Sequence, residues 1–439
     1  MGCSIALALM ILPATGHAWS VDILSHFTPY ITLEEEYSSN IDLAPDRLKR
    51  DDFITTISPG LRFSTSPRSP VTGEFRRAPV AEEKFGMDLD VRAGFVFYDK
   101  ERDNNYIRLD GRLNALYSLT QNLTFRVRDS LIRSDEIREP DYASTAIEGQ
   151  YLLSRTSRRV PYFRNVFEPS ADYRFGRENI IAILYRNNFY EIQSRVLEDS
   201  TEHYINPNLI YWFDIRNGVS FEYGLTLGNF ERSPDLVGHR ATGRYTYRFN
   251  PQTSIFGEYA YLGRDFDPPF IDYTVQNPSL GIDHNFSPTL SLKAKLGYYW
   301  ANFSRGPRTT YPSYGILLTQ IARKTTYTLL FQGGFLEDYF SAENRGFTKQ
   351  HRAIGRISHE FIQNMKVGIH GSYEWNKSLR SLTEGGELDR VRTVGGSTSY
   401  QLFTWLSLAL DISYRDNRSN ISDRDYSEYR GMFRVTARY

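Results

Sequence analysis

The sequence predicts an all-β fold, a transmembrane antiparallel up-and-down β-barrel of about twenty strands, with about eighteen as the competing count. Three observations predict it. Apolar and polar residues alternate with period two along most of the chain, the breaks between alternating stretches are short and long by turns, and the composition is aromatic without being hydrophobic. After the amino-terminal segment, no apolar run approaches the roughly 18 residues that a membrane-spanning helix needs, so any crossing is made by strands.

Composition supports that reading. The 439 residues include 31 Tyr and 28 Phe, yet only 40% are apolar and the mean hydropathy is −0.47. In a barrel, only every second strand residue meets lipid and the others meet a wet lumen, so average hydropathy stays low while aromatics supply the interfacial girdles. The 52 basic and 52 acidic residues cancel, which leaves no whole-chain electrostatic argument for nucleic acid, and no nucleic-acid partner is expected.

The first eighteen residues read as a secretory signal: an apolar stretch from Ile5 to Ala14, broken by Pro13, then Thr15 and Gly16-His17-Ala18 with small residues at the two recognition positions. Cleavage after Ala18 leaves 19–439 as a single barrel domain. Met1 to Ser4 lacks the basic residues usual ahead of such a stretch. Cys3 precedes the apolar stretch, whereas a lipidated cysteine would follow it, and its removal leaves a chain without a thiol, which suits an oxidising compartment.

The cleanest strand window is Ile107 to Tyr117, where Ile107, Leu109, Leu113, Ala115 and Tyr117 share one face and Arg108, Asp110, Arg112 and Asn114 the other. After a turn at Gln121-Asn122, Leu123, Phe125 and Val127 oppose Thr124, Arg126 and Arg128, which completes a hairpin. The pattern recurs at Met87 to Phe97, Leu290 to Trp300 and Leu406 to Tyr414. A propeller or β-helix would need a motif of fixed period, and the sequence has none.

Short breaks fall at Gly176 to Asn179, Ile215 to Gly218, Asn250 to Thr253, Ser287 to Thr289, Arg323 to Thr325, Ile362 to Asn364 and Thr404-Trp405. Longer ones include Ile41 to Lys49, Glu191 to Thr201, Ser378 to Leu388 and Asp416 to Asp425. Tight turns on one rim and loops on the other is the outer-membrane arrangement, short side periplasmic. The strand count is least secure at Ser66 to Glu83 and Asp135 to Arg158, which are poorly patterned. At about 4.8 Å between strands and about 40° of tilt, twenty strands give a barrel roughly 40 Å across, too wide for side chains alone to fill. Water, a plug or inward-folded loops must occupy it.

The polar faces collect the candidate lumen lining: Arg108, Asp110, Arg112, Arg126, Arg128, Arg240, Arg244, Arg248, Lys293, Lys295, Arg434 and Arg438. Basic members outnumber acidic ones, which would favour anionic solutes by focusing field between low-dielectric walls. The alternative is that these charges pair across neighbouring strands and stiffen the wall. The last strand carries Phe433, Val435, Ala437 and Tyr439 on one face, and a terminal aromatic on an alternating strand resembles the signal read by the barrel-insertion machinery.

Enzyme chemistry finds little purchase. His370 and Ser372 have the His-x-Ser spacing of outer-membrane phospholipases, but on the polar face, whereas hydrolysis of membrane lipid needs the pair turned outward. The remaining histidines lack metal-ligand spacing and no phosphate-cradling glycine loop occurs, so neither metal nor cofactor is expected.

The segment Pro29-Tyr-Ile-Thr-Leu-Glu-Glu-Glu-Tyr-Ser-Ser-Asn-Ile41, followed by Asp51-Asp-Phe-Ile-Thr-Thr-Ile-Ser-Pro-Gly-Leu61, resembles the opening hairpin of a family of bacterial outer-membrane β-barrel porins often associated with exopolysaccharide loci. The resemblance implies an outer-membrane channel taking part in polysaccharide export. Its partners would be outer-membrane lipid, the insertion machinery, and polysaccharide or export components. A general diffusion porin for small, anionic solutes explains the same features.

Overall fold

The computed structural model describes residues 23–65, 84–136, 138–140, 151–153, 159–194, 197–340, 346–378, 386–421 and 424–439. The expected signal over 1–18 lies outside them, as does the stretch 66–83. The wall begins with β1 Phe27–Ser38, β2 Asp52–Ser64, β3 Phe85–Tyr98, β4 Tyr106–Ser118, β5 Leu123–Ser134, β6 Tyr162–Phe175 and β7 Asn179–Ile192. It continues with β8 Ser200–Trp212, β9 Asn217–Phe230, β10 Leu236–Asn250, β11 Thr253–Phe266, β12 Tyr273–Ser287 and β13 Leu290–Phe303. It ends with β14 Thr309–Ala322, β15 Thr325–Asp338, β16 Gly346–Ile362, β17 Met365–Ser378, β18 Glu387–Phe403, β19 Leu406–Ser419 and β20 Tyr426–Arg438.

Each strand pairs antiparallel with the next, and β20 returns to β1 in the register Tyr30↔Arg438 through Ser38↔Arg430. The ring therefore closes at twenty strands, not eighteen. Of the poorly patterned segment 135–158, the described part holds only a short ladder of Arg138–Pro140 with Tyr151–Leu153, separate from the wall. Closure leaves the ring no free edge below its long-loop rim, which is what a hydrocarbon environment demands of backbone N–H and C=O groups.

Alternation sorts the side chains as the residue pattern requires. Ile31, Leu33, Ile57, Leu61, Val91, Phe95, Leu410, Ile412 and Phe433 are all exposed on one face. The other face carries the charges, and there long side chains reach past an intervening strand: Tyr30 donates to Asp90 Oδ1 at 2.7 Å and Lys295 Nζ to Glu258 Oε1 at 2.9 Å. The apolar face is the outside and the charged face the lumen.

Turns of two to four residues join most strand pairs at the periplasmic rim. In the β8–β9 turn, the Asp214 carboxylate accepts Asn217 Nδ2–H and the backbone N–H groups of Arg216 and Asn217, and these donors hold it below the usual carboxylate range. The opposite rim behaves differently, because segments there fold onto the inner wall. Ile41 packs with Ile54, Val96 and Tyr98; Val160 and Leu197 pack with Ile132, Tyr162, Tyr190 and Ile192.

The largest inward fold is the β15–β16 hairpin. From the periplasmic turn, β14 and β15 pair only from Ala322↔Thr325 up to Tyr314↔Gly333. Above that point β14 continues with β13 to Ala301↔Thr309, while β15 continues with β16 to Asp338↔Gly346. The wall forks at Gly334, whose φ of +150° is a conformation L side chains rarely adopt. Past the fork, Phe335 and Phe347 turn inward and join Leu262, Tyr273, Val275, Tyr299 and Ala301 in one buried cluster. Phe340 stacks on Phe230 of β9 with ring centroids 5.4 Å apart.

Candidate functional site

A lumen lined by charge is stable only if most of that charge is matched or wet. All twelve residues read from the polar faces stand on the inner face. Asp110, buried on β4, accepts Arg108 Nε at 2.8 Å and Nη2 at 3.0 Å, and Arg92 Nε from β3 at 3.1 Å. Arg126 pairs with Asp172 of β6, and Arg128 with Glu168 at 3.5 Å. Arg434 Nε reaches Glu34 Oε1 at 2.9 Å across the closing seam between β20 and β1. Arg112, Arg240, Lys293 and Arg438 make no ion pair among the described residues.

A layered motif recurs on β8 to β12. Trp212 lies flat over Gly218 of β9, so close that a Cβ there would come within 2.6 Å of the indole, and the Arg248 guanidinium covers its other face at 3.5 Å. Arg248 is fixed in turn by Glu178. Likewise Phe256 lies over Gly281 of β12, and Arg244 covers it at 4.1 Å while bonding Glu258 at 2.8 Å. Lys295 completes that group on Glu258. Glycine on the neighbouring strand is what lets each ring lie against the wall. Aromatics that would otherwise project into the lumen are thereby flattened, and their exposed faces are covered by cations.

The third component is the inward-folded hairpin. Glu337 accepts Arg264 Nε at 3.0 Å and Nη2 at 2.7 Å, and the Tyr273 hydroxyl at 2.5 Å. The Tyr273 and Tyr339 hydroxyls are 2.7 Å apart. A carboxylate on β15 thus reaches β11 and β12 across the inside of the barrel. The pair is mostly shielded from solvent, so its attraction is little screened.

Sequence reading did not single out Arg264, Glu337, Arg186 or Glu202. Arg186 lies between Leu184 and Asn188 on the inner face and pairs with Glu202 at 2.9 Å; Arg264 lies between Leu262 and Phe266. Near the long-loop rim the inner face is apolar because loops pack on it, so the contrast that reveals strand phase is lost there. Register was the missing signal. His370 and Ser372 face Gly395 and Thr393 on the lumenal side, as their spacing implied.

A closed twenty-stranded antiparallel ring, apolar outside and charged inside, defines a transmembrane β-barrel with a porin-like channel. In keeping with the family resemblance, residues 224–439 match the family described as "Putative beta-barrel porin 2". The opening hairpin that carried the resemblance lies outside that match. The chain is a protein of the bacterial outer membrane, and family and fold are those of a channel rather than an enzyme. A variant of the ferric enterobactin receptor PfeA of Pseudomonas aeruginosa shares the fold, with a TM-score of 0.50 and 8% identity over 94% of this chain and 80% of that one. The outer membrane protein OpdK of Pseudomonas aeruginosa aligns over 94% of this chain and 99% of its own, at 11% identity and a TM-score of 0.45. OccAB2 of Acinetobacter baumannii aligns over 95% and 100%, at 11% identity and a TM-score of 0.44. No significant match occurs among curated proteins.

Proposed function

We propose that this outer-membrane channel takes part in polysaccharide export, passing a hydrated glycan chain through its lumen. The observation that carries the reading is the flattened wall: Trp212 and Phe256 are pressed against glycines and capped by Arg248 and Arg244. A polymer that must slide needs a broad polar surface without side chains that trap it, and matched charges such as Arg244 with Glu258 hold no single sugar tightly. The association of the family with exopolysaccharide loci points the same way. Export components would be the partners, with outer-membrane lipid around the barrel. Phe433, Val435, Ala437 and Tyr439 would serve recognition by the insertion machinery.

The test is deletion of the gene with two readouts. Export predicts that secreted polysaccharide falls while uptake of small solutes is unchanged. Unchanged polysaccharide with reduced solute uptake would instead support a diffusion porin. One observation favours that second reading: Arg112, Arg240, Lys293 and Arg438 leave unmatched positive charge in the lumen, which suits small anions.

A further inference from the structure

The outer face of the barrel is apolar through the membrane, but at the long-loop end of β16 to β19 it becomes strongly basic. Lys377 of β17 stands at its upper edge, whereas its register partner Lys349 of β16 lies past the fork, on the face that turns inward with Phe335 and Phe347. One row toward the membrane, His351, Trp375, Arg390 and Arg418 stand side by side on the four strands. The next row holds Tyr373, Arg392 and Asp416. Below these lie Val394, Ile412 and Ile369, all exposed and apolar. The cations therefore sit at the boundary where acyl chains give way to headgroups, with Trp375 and Tyr373 among them as interfacial aromatics.

These charges are not spent inside the protein. Asp416, the carboxylate of the patch, is taken by Arg418 at 3.1 Å. Lys377, Arg390 and Arg392 make no ion pair among the described residues, and Arg390 and Arg392 are exposed. The Lys349 ammonium lies over the Tyr311 ring, 4.9 Å from its centroid, at the fork between β14 and β15. Three like charges on two adjacent strands repel one another.

We propose that the outward face of β17 and β18 is a binding site for a phosphorylated lipid of the outer leaflet, with Lys377, Arg390 and Arg392 holding its headgroup phosphates and Val394 and Ile369 lying against its acyl chains. Arginine supplies planar, bidentate recognition of phosphate and lysine supplies point charge. The position selects a lipid over free phosphate, since apolar wall continues directly below the cations.

The test uses the full chain folded in detergent micelles. Bis-phosphorylated lipid A, the same lipid with its phosphates removed, and inorganic phosphate alone are titrated against it, with bound lipid read by native mass spectrometry. The phosphorylated lipid is expected to bind, and Lys377→Gln, Arg390→Gln and Arg392→Gln combined should weaken it by on the order of a hundredfold, as removal of several basic groups facing an anionic surface implies. Neutralising the lumenal Arg112, Arg240, Lys293 and Arg438 should leave lipid binding unchanged. Should the threefold outward variant not fold, Arg390→Gln with Arg392→Gln alone should weaken binding measurably. Equal binding of the dephosphorylated lipid, equal binding by the outward variants, or displacement of the lipid by inorganic phosphate at comparable concentration would each overturn the proposal.

Discussion

Arg264 and Glu337 meet through two hydrogen bonds, 3.0 and 2.7 Å long, although they are 73 residues apart in sequence and three wall strands separate β11 from β15. That contact is possible only because β15 leaves β14 above Gly333 and carries its upper end into the barrel. The same displacement brings Phe335 and Phe347 onto Tyr299. The outer mouth is therefore narrowed by a strand hairpin anchored by charge and by aromatic packing.

Releasing that anchor should widen the mouth. Breaking a buried ion pair by removing one partner costs about 3–5 kcal/mol. Arg264→Ala is expected to raise single-channel conductance, and Glu337→Arg with Arg264→Glu to bring it back toward the parent value. Planar-bilayer recording reads both, and a conductance indifferent to Arg264→Ala would remove the hairpin from the account of the mouth.

Gly281→Val tests the flattened wall. Phe256 occupies the space a side chain at 281 would need, so the ring and the Arg244 above it must swing into the lumen. Overpacking of this kind costs about 1–3 kcal/mol. Lower conductance together with earlier loss of heat-modifiable gel mobility is expected; a variant with parent conductance would mean that the glycine is not what keeps the ring flat.

Faces of the closing strand can be told apart by one residue. Val435 faces lipid opposite Leu33 and Leu408, whereas Thr436 faces the lumen and lies 3.1 Å from the Thr32 hydroxyl. Arginine near the bilayer midplane on the lipid side costs about 2–4 kcal/mol. Val435→Arg should reduce folding yield into lipid vesicles, and Thr436→Arg should reduce it much less. Equal losses would contradict the assigned faces.

Unmatched lumenal charge should set ion preference. Replacing Arg112, Arg240, Lys293 and Arg438 by Gln is expected to move the reversal potential in a salt gradient toward cations. Replacing the matched Arg244 and Glu258 together by Gln should move it little. The reverse ranking would show that pairing does not decide which charges a passing ion senses.

How much of this was legible beforehand follows from what each face touches. Residues 107–117 gave up their two faces at once, because lipid on one side and water on the other impose opposite chemistry on neighbouring residues. Short turns such as Gln121-Asn122 set strand polarity in the same local way. The inward hairpin was not legible, since Phe335 looks like any lipid-facing residue until the fork at Gly334 turns it inside. Charge matching was hidden for a related reason. Arg126 finds Asp172 only once the segment between β5 and β6 is passed over and the two strands are brought into register. The alternation legible in sequence assigns residues to a face, while which of the charges remain unpaired emerged from register.

The central claim is that this ring is a conducting channel narrowed, not sealed, by its β15–β16 hairpin. The most direct test is single-channel recording of the folded full chain in a planar bilayer, with and without Arg264→Ala. Stepwise conductance of the parent chain that grows in the variant is the predicted result. A membrane that stays electrically silent with both proteins, although both are shown to be inserted, would contradict it.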